Sequence, residues 1–261
     1  MKFDITAITN ALAPYKNQLE QLYLWNADIS GLVDFGLISK DELSDLLQQS
    51  IYNREVKVKT IVHHALHNYY KSDRTKFEEL SMWIIIKWGG IRAASKKETI
   101  PLINNFIEKG IQPFERIASY SKVASFMCPE ECIIYDARVA YTLNWLILSR
   151  NAGTKYFPIP LGRNSKMKAF DMDVLIRLKH IDKYHIEDAF HIEQKYISNR
   201  DKQLYIPKNE AYCCMNTLIK AVHQKLWNDE RKELYFTEML LFSIADNFIT
   251  KEITESVRIQ L

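Results

Sequence analysis

The stretch IIYDARVAYTLNWL, Ile133 to Leu146, decides how this chain is read. Three residues suited to burial, Ile133, Ile134 and Tyr135, run straight into Asp136. Beyond it, Val139, Leu143, Leu146 and Ile147 fall at i, i+4, i+7 and i+8, which predicts an amphipathic helix over Ala137–Ser149. An aspartate just ahead of a helix is an ordinary N-cap, its oxygen accepting a free backbone N–H. The same placement also suits catalysis. The helix dipole and the free N–H groups hold the carboxylate ionised beside a core.

Working outward, helical spacing recurs along the chain. It predicts helices over Tyr15–Trp25, Lys40–Asn53, Val56–Tyr70, Lys76–Trp88, Lys97–Lys109 and Lys122–Met127. Further helices are expected around Asp171–Leu178, Glu187–Ser198, Glu210–Trp227 and Leu234–Phe248. Gly89-Gly90 and Gly110 supply stop signals, and Cys128-Pro129 ends another helix. Asn151–Asn164 holds Gly153, Pro158, Pro160 and Gly162 and reads as a long ordered loop. With only 7 Gly and 7 Pro in 261 residues and no alternating strand pattern, the fold class expected is all-α, in a single domain over residues 1–261.

Composition narrows the function classes. Hydrophobic content of 47% and charged content of 26% describe an ordinary globular chain. The N-terminus MKFDITAITNALAPYK lacks the apolar core of a secretory signal. No apolar run approaches the ~20 residues that cross a bilayer, so no membrane partner is expected. Four cysteines, at 128, 132, 213 and 214, are too few for a disulfide scaffold. A reduced cytoplasmic protein with buried thiols is expected. The net charge of +3 is small, but Lys155–Lys183 carries seven basic and three acidic residues. That segment suits a phosphate backbone, or is a solvated basic face.

Placed in context, the opening stretch ends ASYSKVASFMCPEECIIYDARVAYTLNWL, Ala118 to Leu146. This resembles the core motif of the helix-hairpin-helix DNA glycosylases, particularly the 8-oxoguanine glycosylase branch. Lys122-Val123-Ala124 matches the lysine-valine-alanine of the family's first motif helix, and Asp136 matches its aspartate. The family's hairpin glycines are replaced by Ala118, Ser119 and Tyr120, and Asp136 follows Lys122 by fourteen residues, a shorter spacing than usual. The resemblance implies two helical subdomains around a DNA-binding cleft, double-stranded DNA as partner, and no cofactor. It implies excision of a modified base, leaving an abasic site, with Asp136 stabilising the sugar cation or activating the nucleophile. Lys122 is then the amine that attacks C1′, with strand cleavage through a Schiff base as a further step. DNA contacts fall on Ser119, Tyr120, Ser121 and Arg138, and on Arg163 and Asn164 in the loop. Some bacterial relatives of this type act against phage by removing hypermodified cytosines.

The chemistry agrees with this on its own terms. Breaking an N-glycosidic bond builds positive charge on the sugar, and a fixed carboxylate stabilises it. A partly buried lysine loses proton affinity and becomes a nucleophile. Trp83, Trp88, Tyr120 and Tyr135 are candidates to stack an extruded base. The alternative is a non-catalytic helical module that binds DNA or protein, in which Asp136 only caps. His63 and His67 share a helical face at a zinc-compatible spacing, but no third ligand or HExxH glutamate accompanies them, and no metal is expected. A metal-dependent nuclease lacks a carboxylate cluster, since Glu230, Glu233 and Glu238 are scattered.

Overall fold

The computed structural model describes residues 2–161, 164–184, 201–228 and 230–257. The described chain is all-helical, with no strand and one isolated parallel bridge between Tyr156 and Tyr205. In order, the first helices are α1 (Ile5–Lys16), α2 (Leu19–Leu22), α3 (Gly31–Asp34), α4 (Lys40–Leu47) and α5 (Ile51–Ser72). Next come α6 (Arg74–Trp83), α7 (Lys96–Lys109), α8 (Ile117–Met127) and α9 (Ala137–Ser149). After the long loop come α10 (Ser165–Ala169), α11 (Met172–Lys179), α12 (Ala211–Trp227), α13 (Tyr235–Ile244) and α14 (Thr250–Ser256). Two π-helical turns follow α6 and α13, over Ile84–Trp88 and Ala245–Ile249.

Local signals explain most boundaries. Ser39 caps α4 reciprocally with Glu42, satisfying two free N–H groups at once. Ser50 accepts the Asn53 N–H and starts α5, so the helix expected over Lys40–Asn53 divides into two. Gly110 ends α7 at φ 66°, a left-handed turn that glycine enters without a Cβ clash. Of the helix expected over Tyr15–Trp25, only the end of α1 and the four residues of α2 are helical, and α1 begins ten residues earlier. Asp4 caps α1, and the chain leaves helical geometry at Tyr23, where ψ is 108°. The Trp25 indole N–H donating to the Trp88 carbonyl at 3.1 Å holds that extended segment. The helix expected over Glu187–Ser198 lies outside the described residues.

Helix α9 runs exactly where its apolar spacing puts it and is buried on every side, from Ala137 through Leu148 except Arg138. It packs on α13, α11 and α1, while α8 packs on α5, α7 and the first π turn. One continuous buried cluster runs from Ile8 to Ile253 and includes Val139, Leu143, Leu146 and Ile147. Each such side chain contributes about 1.5–3 kcal/mol. The loop after α9 is ordered at its root. Buried Asn144 accepts the Phe157 N–H at 2.7 Å and donates to the Phe157 carbonyl at 2.8 Å. The Tyr135 hydroxyl donates to the Pro158 carbonyl at 2.7 Å.

All four cysteines are free, but the thiols expected to be buried are not all so. Cys132 alone is buried, Cys214 is half-buried, and Cys128 and Cys213 are exposed. No helix among the described residues is long and apolar enough to cross a membrane.

Candidate active site

Four of the residues singled out from sequence meet. Lys122, Asp136, Arg138 and Trp88 line one cavity with Tyr23, Trp25, Gly89, Ile134, Glu238 and Phe242. The cavity offers about 90 Å³ of space and opens to solvent at its mouth, less than the ~300–1,000 Å³ of ordinary small-ligand pockets.

Lys122 sits in the second turn of α8 and is buried, with 6% of its surface exposed. Burial lowers its hold on its proton, opposed by the Asp136 and Glu238 carboxylates and reinforced by Lys59. Its stem runs beside Gly89, where a Cβ would stand 2.6 Å from its Cδ and Cε. Asp136 is the N-cap of α9, and its Oδ1 accepts the Arg138 N–H at 2.8 Å. The two are tied together by their chain neighbours. Ser121 Oγ accepts the Tyr135 N–H at 3.0 Å, with both residues fully buried. That bond fixes the residue after Ser121 against the residue after Tyr135.

The hairpin expected ahead of the lysine is absent. Ser119, Tyr120 and Ser121 are inside α8 and buried, so they offer no surface to a phosphate, contrary to the sequence expectation. The left-handed residue is Arg116, at φ 52°, and the helix begins directly after it. Two of the three serve as struts instead. Tyr120 donates its hydroxyl to the Pro113 carbonyl at 2.9 Å, and Ser121 holds Tyr135. Arg138 is at the cavity rim, but its Nε is 3.0 Å from Asp246 Oδ2 and its guanidinium covers the Phe242 ring. Asn164 caps α10 and donates to Asp246. Arg163 lies outside the described residues.

The cavity walls are aromatic. Trp88 is one expected stacking candidate and is present. It stands edge-on to Phe126 and donates its indole N–H to Glu55 at 3.1 Å. Trp83 packs on Phe35 and Gly31, and Tyr120 and Tyr135 lie in the core with Tyr212, so these three are not cavity walls. Trp25 and Phe242 are half-buried at the mouth, edge to face at 6.0 Å. Sequence reading missed both. Trp25 lay in an expected helix, and Phe242 in an apolar run that reads as core.

Behind the walls lies a buried charged group that periodicity could not reveal. Lys59 is 5% exposed, 3.7 Å from Glu55, and surrounded by the rings of Trp88, Phe126 and Tyr235. Glu238 on α13 is also buried. The i, i+4 spacing of Glu55 and Lys59 was a readable signal, but it is also the commonest surface ion pair.

The histidines have a structural use. His63 Nδ1 and His67 Nε2 donate to the carbonyls of Phe126 and Met127, each at 2.8 Å, covering the free C-terminal acceptors of α8. No group of His, Cys, Asp or Glu among the described residues is arranged to hold a metal. In the basic segment, Lys155 and Lys166 are spent on protein carbonyls, while Lys168, Lys179 and Lys183 are exposed. Comparisons with protein-family models, with curated proteins and with solved structures give no significant match.

Proposed function

We propose that this chain is a DNA glycosylase of the helix-hairpin-helix type that takes a modified base out of double-stranded DNA and excises it. One observation carries the reading. Lys122 and Asp136, the two residues the motif singles out, line the same aromatic-walled cavity, and burial weakens the lysine's hold on its proton. An extruded base needs flat apolar walls, and Trp25, Trp88 and Phe242 supply them. The neutral Lys122 amine attacks C1′. Asp136, kept at the head of α9, faces the charge that grows on the sugar. A Schiff base formed this way allows strand cleavage to follow.

The second reading, a non-catalytic helical module, draws on the capping bond from Asp136 to the Arg138 N–H. Asp136→Asn separates the two. Asparagine keeps the cap and removes the charge. Duplexes carrying 8-oxoguanine, hydroxymethylcytosine or its glucosylated form are the substrates to screen, covering repair and defence against phage. Excision by the wild type that falls about 100-fold or more in Asp136→Asn supports the glycosylase. Excision unchanged in that variant sinks the mechanism. Borohydride trapping that disappears in Lys122→Gln assigns the amine.

A further inference from the structure

Glu238 is the cavity carboxylate that the steps above leave unused. It is 4% exposed, and its Oε2 has no hydrogen-bond partner among the described residues. A buried carboxylate is ordinarily paired, because an unpaired one loses its hydration without replacement.

The groups facing it come from every element around the cavity. They are Glu55 and Lys59 on α5, Lys122 on α8, Asp136 at the head of α9, and the Tyr23 hydroxyl from the extended segment. Arg138, at the rim, is occupied by Asp246. Two lysines and two carboxylates cancel, so a charge on Glu238 itself stays uncompensated. Burial, opposed by Lys59 and Lys122 and aided by Asp136 and Glu55, raises its pKa to about 7. Lys122 moves the opposite way, again through burial. The two shifts run toward each other.

We infer that Glu238 is a catalytic acid–base residue which takes the proton Lys122 must lose and passes it to the departing base. This rests on the glycosylase reading and adds the proton path to it. The Glu238 carboxylate accepts a proton from the Lys122 ammonium, leaving a neutral amine and a carboxylic acid. The amine lone pair forms the bond to C1′. The bond from C1′ to the base nitrogen breaks, and its electron pair goes to the base. The carboxylic acid gives its proton to the base, which leaves neutral, and Glu238 is a carboxylate again. The positive charge ends on the lysine nitrogen, beside Asp136. The path favours neutral bases, which are poor leaving groups without a proton, over cationic alkylated purines, which depart neutral without one.

The test compares wild type and Glu238→Gln on two probes. One is the panel of duplexes carrying 8-oxoguanine, hydroxymethylcytosine or glucosylated hydroxymethylcytosine. The other is a duplex with a preformed abasic site, trapped with borohydride. Base excision should fall about 100-fold in the variant. Trapping should hold or rise, because losing a neighbouring carboxylate loosens the Lys122 proton further. A role limited to holding the pocket's shape predicts equal losses on both probes, and that result overturns the inference. So does excision at the wild-type rate. Should the variant not fold, the wild-type pH profile decides. Excision should decline as pH rises past the titration of the Lys122–Glu238 pair, while trapping lacks that limb. The same limb in both, or in neither, also overturns the inference. A wild type that removes no base from the panel fails the glycosylase reading itself, and this inference falls with it.

Discussion

Gly89→Ala probes the site through a single methyl group. The Gly89 backbone has φ of −87°, a conformation any residue adopts, so the substitution is not resisted by the residue's own φ and ψ. It is resisted by contact. The new Cβ would stand 2.6 Å from both Cδ and Cε of Lys122 and 2.8 Å from the Ile84 carbonyl oxygen. Carbon atoms settle at about 3.5–4.0 Å, so the lysine stem must move by roughly 1 Å. Overpacking of this kind costs about 1–3 kcal/mol, and a 1 Å misplacement of a reacting group costs about 100-fold in rate. Gly110→Ala serves as the control. Gly110 sits at φ 66° with nothing within 4 Å of a Cβ, so alanine there strains the backbone by about 1 kcal/mol and touches nothing. Urea unfolding should show both variants destabilised. Base excision and borohydride trapping should collapse in Gly89→Ala alone. Wild-type excision in a folded Gly89→Ala protein would refute the placement of Lys122 as the reacting amine.

Other perturbations separate position from charge. Ser121→Ala leaves the buried Tyr135 N–H without an acceptor, which should cost about 1–3 kcal/mol in urea unfolding and slow excision by loosening Asp136 against Lys122. An unchanged unfolding midpoint would show that bond to be dispensable. Glu238→Gln should change the pH dependence of stability. Its folded pKa of about 7 is above the ordinary glutamate value of 4.5, so its relative contribution is fully present below 4.5 and is lost as pH rises through 7. Thermal melts should therefore show the variant gaining on wild type between pH 5 and pH 8, by on the order of 3 kcal/mol at most. A constant difference across that window would contradict a buried, proton-sharing carboxylate. Leu24 is 69% exposed between the cavity residues Tyr23 and Trp25. Leu24→Ala should leave the melting temperature within about 2 °C and weaken excision from duplex more than from single-stranded substrate, since an apolar wedge acts on the stack. Equal effects on both substrates would remove that role.

The helices were legible wherever apolar spacing met an end signal. Ala137–Ser149 and the stop at Gly110 follow directly from the residues. The pairing of Lys122 with Asp136 was legible because both lie in one short motif. The rest of the site was not, for a definite reason. Tyr23, Trp25, Glu55, Trp88, Glu238 and Phe242 come from four separate parts of the chain. Only tertiary packing joins them, and each alone reads as core or as a surface charge. The burial of Ser119 and Tyr120 was hidden by the same logic, since small and hydroxylated residues ahead of a lysine read as a turn until the helix is seen to begin at Ile117.

The π turns carry a consequence for how this site tolerates change. Each wraps five residues where an α-helix would use about four, so each amounts to a single inserted residue. The first delivers Trp88 to the cavity, and the second delivers Asp246 to Arg138. Deleting one residue from either turn would restore an ordinary helix and rotate everything after it by about 100°. The helices would persist while Trp88 or Asp246 swung off its partner. In this protein the position of the site is thus a matter of helical phase, set by two one-residue insertions, and a length change of one residue reaches it as surely as a substitution in its walls.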